Sequence, residues 1–139
     1  MEPTSTPSTM STDIRISPGF CLLVGWFAAI NGWQLLAAVL GAAAIHEAGH
    51  YAALRLLGTR ILGLRIRLLG AVLETDSTAL SYGGELAAVL AGPVANLLSA
   101  VVLTALGLEM AAGAHLVLGA FNLLPVRPLD GGRALYLAA

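Results

Sequence analysis

The sequence contains no lysine and a single cysteine, and charged residues make up only 11% of its 139 positions. The formal net charge is −1, so the chain lacks the basic surface by which proteins bind nucleic acids. Cys21 has no second cysteine to pair with, which excludes an internal disulfide. The composition therefore argues against both a nucleic-acid partner and a disulfide-stabilised scaffold.

Hydrophobic residues make up 58% of the chain, and its mean hydropathy is +0.84. Such a composition is typical of a protein embedded in a lipid bilayer. Residues 1–13 differ, because they are rich in serine, threonine and proline and cannot bury enough apolar surface to fold. We therefore predict a disordered tail at residues 1–13 and one membrane-embedded core at residues 14–139.

Four apolar runs follow one another along this core. The second is long enough to span about 30 Å of hydrocarbon, whereas the first is short and would need to extend through Ile14 or thin the bilayer. Gly58 is expected to end the second helix. The pattern predicts an all-α polytopic membrane protein with about four transmembrane segments, at residues 18–30, 33–57, 85–106 and 114–124.

Between the second and third runs, apolar and basic residues alternate at 64–68, which is the periodicity of a strand. Leu69 and Gly70 can turn the chain, so we predict a small β-hairpin at residues 61–75. A basic loop at the lipid headgroups is the alternative interpretation. In either case this region carries a cluster of arginines, which the positive-inside rule places on the cytoplasmic side. The cluster consists of Arg55, Arg60, Arg65 and Arg67.

The motif His-Glu-x-x-His at residues 46–50 carries the clearest chemical signal. Residues four apart share one face of a helix, so His46 and His50 can point at one ion, and imidazole suits zinc. Glu47 lies one step round the helix, where it can hold a water molecule and take its proton. Ionisable side chains inside an apolar span are costly and by default functional. The alternative is a pair of hydrogen-bonded core histidines with a chance glutamate.

A catalytic zinc site with two histidines needs a third protein ligand. Asp130 is the best candidate, because it lies on the broken segment at 125–132 beside two glycines that allow close backbone approach. At 1.5 Å per residue, all three ligands reach about 20–25 Å across the membrane. Glu85 and Glu109 fall at the ends of spans and fit poorly.

Two further polar residues interrupt the apolar runs. Asn96 follows a Gly92-Pro93 break in the third run, and a buried asparagine must find partners. It can form an interhelical hydrogen bond or contact substrate, and the residues alone leave both open. His115, at the start of the fourth run, is interpreted as an interfacial residue rather than a ligand.

Taken in order, three motifs resemble those of the site-2 protease family, which are intramembrane zinc metalloproteases. The compact layout is similar to the bacterial sporulation-type branch of that family, and the match runs from about residue 18 to residue 133. The motifs are His-Glu-Ala-Gly-His at 46–50, Gly-Pro-Val-Ala-Asn at 92–96, and Asn-Leu-Leu-Pro at 122–125 followed by Leu-Asp-Gly at 129–131.

The resemblance implies one Zn²⁺ per chain, held by His46, His50 and Asp130, with Glu47 as the general base. It implies that Asn96 holds the substrate or the oxyanion, and that the hairpin lies beside the active site. The expected activity is hydrolysis of a peptide bond in or near a transmembrane segment of a membrane-associated substrate.

The expected location is a bacterial cytoplasmic membrane, with the N-terminus and the active-site opening on the cytoplasmic side. The lipid bilayer and a protein substrate are the expected partners, and the oligomeric state is left open. The alternative is a truncated, non-proteolytic membrane protein that binds metal and acts through a partner, because few residues follow Asp130.

Overall fold

The computed structural model describes residues 13–67, 70–76 and 80–139. The described chain is mostly helical, as predicted, and carries one small sheet. Its helices are α1 (Pro18–Asn31), α2 (Trp33–Leu56), α3 (Tyr82–Ala105), α4 (Glu109–Asn122) and α5 (Asp130–Ala138). Its strands are β1 (Asp13–Ile16), β2 (Arg60–Arg67) and β3 (Gly70–Asp76).

The sheet has the strand order β1-β2-β3, with β1 parallel to β2 and β2 antiparallel to β3. Leu69, the first residue of the predicted turn, lies outside the described residues together with residue 68, as do residues 1–12 of the predicted tail. Strand β1 was not predicted. It contains Ile14, so of the two alternatives for the short first run the extension through that residue is not found.

Local sequence explains where the first helices begin and end. Ser17 caps α1, because its side chain accepts a hydrogen bond from the Phe20 backbone N–H at 3.2 Å, and Pro18 follows at the first helical position. Gly58 follows α2 with a φ of +77°, and the Thr59 N–H donates to the Leu54 carbonyl. This is the glycine-terminated helix end that the sequence predicted.

Helices α2, α3 and α4 pack against one another and form the core. Its buried apolar residues are small, mainly alanines such as Ala42, Ala88 and Ala112. A Cβ added to Gly49 of α2 would lie 2.6 Å from the Ala91 carbonyl oxygen of α3. The two helices therefore approach so closely that only glycine fits, as is common where membrane helices pack.

Large apolar side chains lie on the outside of this core. On α3, Leu98, Val101 and Val102 are between 57% and 69% exposed. Among the described helices, α3 is the one that is both long and apolar enough to cross a membrane by length and composition. The fold thus buries small residues between its helices and presents large apolar ones to the surroundings.

The last two helices differ from the sequence-based prediction. Helix α4 begins at Glu109 rather than near Ala114, because Gly107 with a φ of +73° reverses the chain within a short turn. Its earlier start places His115 well inside the helix, so the interfacial interpretation of that residue is wrong. Helix α5 begins at Asp130 itself.

The contact at Gly49 generates a stability prediction. Gly49→Ala should lower stability by about 1–3 kcal/mol, the usual range for overpacking a tight core. Gly41→Ala on the same helix is the matched control, because a Cβ there would meet nothing within 4 Å. Thermal unfolding in detergent should show a lower midpoint for Gly49→Ala alone. Equal midpoints would disprove the close α2–α3 contact.

Candidate metal centre

Three side chains from two helices converge on one point inside the bundle. His46 and His50 lie one turn apart on α2, and Asp130 is the first residue of α5. Asp130 Oδ2 lies 3.0 Å from His46 Nε2 and 3.2 Å from His50 Nε2, and the two Nε2 atoms are 3.1 Å apart. These residues are the group in the described part of the chain that could hold a metal ion.

The donor set and its dimensions fit zinc. A tetrahedral zinc ion about 2.1 Å from each ligand would hold the ligand atoms about 3.4 Å apart. The three observed separations lie between 3.0 and 3.2 Å. Two imidazoles and one carboxylate form a recurrent protein ligand set of catalytic zinc sites, in which a fourth position stays open.

Contacts with α3 orient the His50 ring. Its Nδ1 donates a hydrogen bond to the Ala88 carbonyl oxygen at 2.8 Å. A carbonyl oxygen only accepts, so the proton of a neutral His50 lies on Nδ1 and the lone pair of Nε2 faces the cluster. A Cβ at Gly92 would collide with the His50 ring, so glycine at that position provides the space the ring occupies.

The His46 ring is held by a different kind of contact. Its Nδ1 accepts a hydrogen bond from Asn96 Nδ2 at 3.2 Å, and Asn96 Oδ1 accepts one from His115 Nδ1 at 3.0 Å. His46 is 5% exposed, and Asn96 is fully buried. Asn96 therefore contacts a predicted zinc ligand rather than an open cleft, and its role toward substrate or an oxyanion stays a prediction.

Glu47 is half-buried beside these residues but does not belong to the three-ligand cluster. Glu47 directly follows His46 on α2, so its side chain leaves the helix in a different direction from the His46 side chain. In such an arrangement, the cluster of three side chains can hold a metal ion, while the separate Glu47 carboxylate can accept a proton.

His115 is the site residue that sequence reasoning missed. The signal that could have found it was an ionisable side chain inside an apolar run, the same signal that selected His46 and His50. The sequence pattern places the start of the fourth run near Ala114, which puts His115 at its edge. In the structure His115 is 6% exposed and bonded to Asn96.

Comparisons with known proteins agree with this fold. No family model matches the sequence. The chain is 30% identical over 130 aligned positions to Rip3 of two Mycobacterium tuberculosis strains, a protein provisionally named a zinc metalloprotease; this covers 83% of the chain and 32% of Rip3. Its structure is similar to a site-2 protease from Methanocaldococcus jannaschii, with a TM-score of 0.76 and 25% identity, over 94% of this chain and 68% of the other.

Similarity in fold and in sequence supports a relationship between this chain and the site-2 protease family. It spans about a third of the length of Rip3. Rip3 is a zinc metalloprotease by name, and the cluster described above could hold such an ion. The sporulation-type branch expected from the compact layout stays a prediction.

The ligand assignment predicts a specific loss of metal. Asp130→Ala should lower zinc content well below the roughly one equivalent expected for a single three-ligand site, because two imidazoles alone leave the site incomplete. Glu109→Ala is the control, since Glu109 is also an acidic residue at the first position of a helix. Metal analysis of the purified proteins tests this, and normal zinc in Asp130→Ala would remove that residue from the ligand set.

Proposed function

We propose that the chain is an intramembrane zinc metalloprotease that hydrolyses a peptide bond in or near a transmembrane segment of a membrane-associated substrate. The observation that carries this proposal is the convergence of His46, His50 and Asp130 beside Glu47. A protein that only stored or sensed zinc would need the three ligands but would have no use for an adjacent carboxylate.

The surface of the fold supports a membrane setting. Large apolar side chains point outward on α1 and α4 as well as on α3: Trp26 is 64% exposed and Val117 is 68% exposed. We propose four membrane-spanning segments, α1 to α4. Helices α1 and α4 have 14 residues each, about 21 Å, so the bilayer would thin around them.

The chemistry divides among the residues of the site. His46, His50 and Asp130 would hold zinc, and when bound it would supply Lewis acidity toward a peptide carbonyl and a water molecule. Glu47 accepts the proton of the attacking water and delivers it to the leaving amine. The mostly apolar surroundings of these largely buried side chains limit access of other water and strengthen these charge interactions.

The sheet offers a place for an extended substrate. A transmembrane helix must unwind before a peptide bond is exposed, and an unwound segment can pair with the edge of a sheet. Because β2 is paired on both sides, within the described residues the edges of the sheet are β1 and β3. We propose that substrate adds to β3, since it is the member of the predicted hairpin with a free side.

The central test is removal of the base without removal of the metal. Glu47→Gln should keep zinc and still capture substrate, because glutamine has nearly the same shape but cannot accept a proton. Cleavage of a co-expressed single-span substrate should fall by at least the 10²–10⁴-fold typical of a lost general base. Uncleaved substrate should co-purify with the variant.

Glu85→Gln is the matched control, because Glu85 lies in the first turn of α3 and takes no part in the ligand cluster. It should cleave at the wild-type rate. Wild-type cleavage by Glu47→Gln would show that the mechanism is wrong. Normal zinc binding with no cleavage of any partner by the wild type would support the non-proteolytic alternative.

The proposed orientation places the N-terminus and the site opening on the cytoplasmic side of a bacterial cytoplasmic membrane. In a Cys21→Ser background, Leu56→Cys at the end of α2 should resist a membrane-impermeant maleimide in intact cells, whereas Leu106→Cys at the end of α3 should react. Both leucines are exposed, at 89% and 67%, so access differs only by side. The reverse labelling pattern would overturn this topology.

A further inference from the structure

A chain of hydrogen bonds crosses all three core helices. It runs from His46 on α2 through Asn96 on α3 to His115 on α4, with separations of 3.2 and 3.0 Å. The three residues are 5%, 0% and 6% exposed. Buried polar groups must be paired, so each member of this chain constrains the proton position of the next.

Packing fixes the position of the Asn96 carboxamide, but packing alone does not decide which way its oxygen and NH₂ group face. A Cβ at Gly119, one turn beyond His115 on α4, would lie 3.1 Å from the Asn96 Cβ, so the two helices hold this side chain tightly. The oxygen and the NH₂ group of a carboxamide are nearly the same in shape. A half-turn of the amide therefore exchanges donor and acceptor without displacing its neighbours.

The orientation in the structure sets the tautomer of His46. Asn96 Nδ2 donates to His46 Nδ1, so a neutral His46 carries its proton on Nε2 and donates it to Asp130 Oδ2 at 3.0 Å. At the other end, His115 donates from Nδ1 to Asn96 Oδ1. In this arrangement His46 Nε2 carries a proton and has no lone pair to offer a metal ion.

Zinc ligation through His46 Nε2 requires the opposite arrangement. The proton must move to Nδ1, which then needs an acceptor, and the oxygen of its present partner Asn96 can supply one. The half-turn that brings this oxygen to His46 brings the NH₂ group to His115. His115 must then accept at Nδ1, which a neutral imidazole can do because its proton can move to Nε2.

We propose that His115 is a positioning residue that acts through Asn96 to set the zinc-binding tautomer of His46. The proposal rests on the zinc site of the proposed function. His50 needs no such device, because the Ala88 carbonyl already fixes its proton on Nδ1.

The direct test follows histidine tautomers by ¹⁵N NMR of the full chain in detergent, which is tractable because the chain has three histidines. On addition of zinc, His115 should change from protonated Nδ1 to protonated Nε2, and His46 from protonated Nε2 to protonated Nδ1. Zinc binding with His115 still protonated on Nδ1 would overturn the proposal. This measurement uses the wild type and needs no variant to fold.

Zinc affinity, measured by competition with a chelator, provides the second test. His115→Leu should bind zinc about 10-fold more weakly, at the lower end of the 10–100-fold typical for an outer partner of a ligand histidine. His115→Gln should recover most of the affinity, because its amide can donate or accept. Thr104→Val is the control, since it removes a side-chain hydrogen bond within α3, to the Ala100 carbonyl, away from the chain.

The effects of substitutions at His115 and Asn96 on zinc affinity should also be coupled. His115→Leu added to Asn96→Ala should weaken zinc binding no further than Asn96→Ala alone, because His115 acts through Asn96. Unchanged affinity in His115→Leu would overturn this inference and leave the proposed function intact. Failure of the wild type to bind zinc at all would instead overturn the zinc site, and with it both proposals.

Discussion

The constraint on which the structure depends is the pairing of polar groups inside an apolar bundle. Three histidines, a carboxylate and an asparagine lie in a mostly apolar bundle, so each must be satisfied by another of them or by backbone. The structure meets this requirement: in its described part, no buried side-chain nitrogen or oxygen lacks a partner. The helix packing follows from the distances that these contacts require.

Small residues are what make those distances possible. Gly49 lets α2 approach the α3 backbone, Gly92 leaves room for the His50 ring, and Gly119 lets α4 pack on Asn96. Gly131 and Gly132 do the same for α5, where an added Cβ would collide with the backbone near Leu123 and Val126. Each of these glycines allows a close approach between elements that positions a site residue. The positions of these glycines in the sequence therefore reflect the site as much as the fold.

The helices and the ligand cluster could be predicted from sequence because both depend on local regularities. A spacing of four residues places His46 and His50 on one face whatever surrounds them, and glycines after an apolar run end a helix. Strand β1 could not be predicted in this way, because its pairing partner Gly63–Ile66 lies some 50 residues further along the chain. The prediction for His115 was wrong for a related reason. It depended on where α4 begins, and helix boundaries are set by turns rather than by periodicity.

The two histidines of one motif are held by partners of different kinds, and this difference links the helices. The Ala88 carbonyl offers His50 a single proton arrangement, so that ring depends on α3 backbone alone. Asn96 offers His46 two arrangements, and the choice between them depends on what His115 can accept. Under the proposal above, a change on α4 alters the proton position of His46 on α2 without moving either helix. Buried hydrogen bonds, as well as packed side chains, thus connect the three core helices.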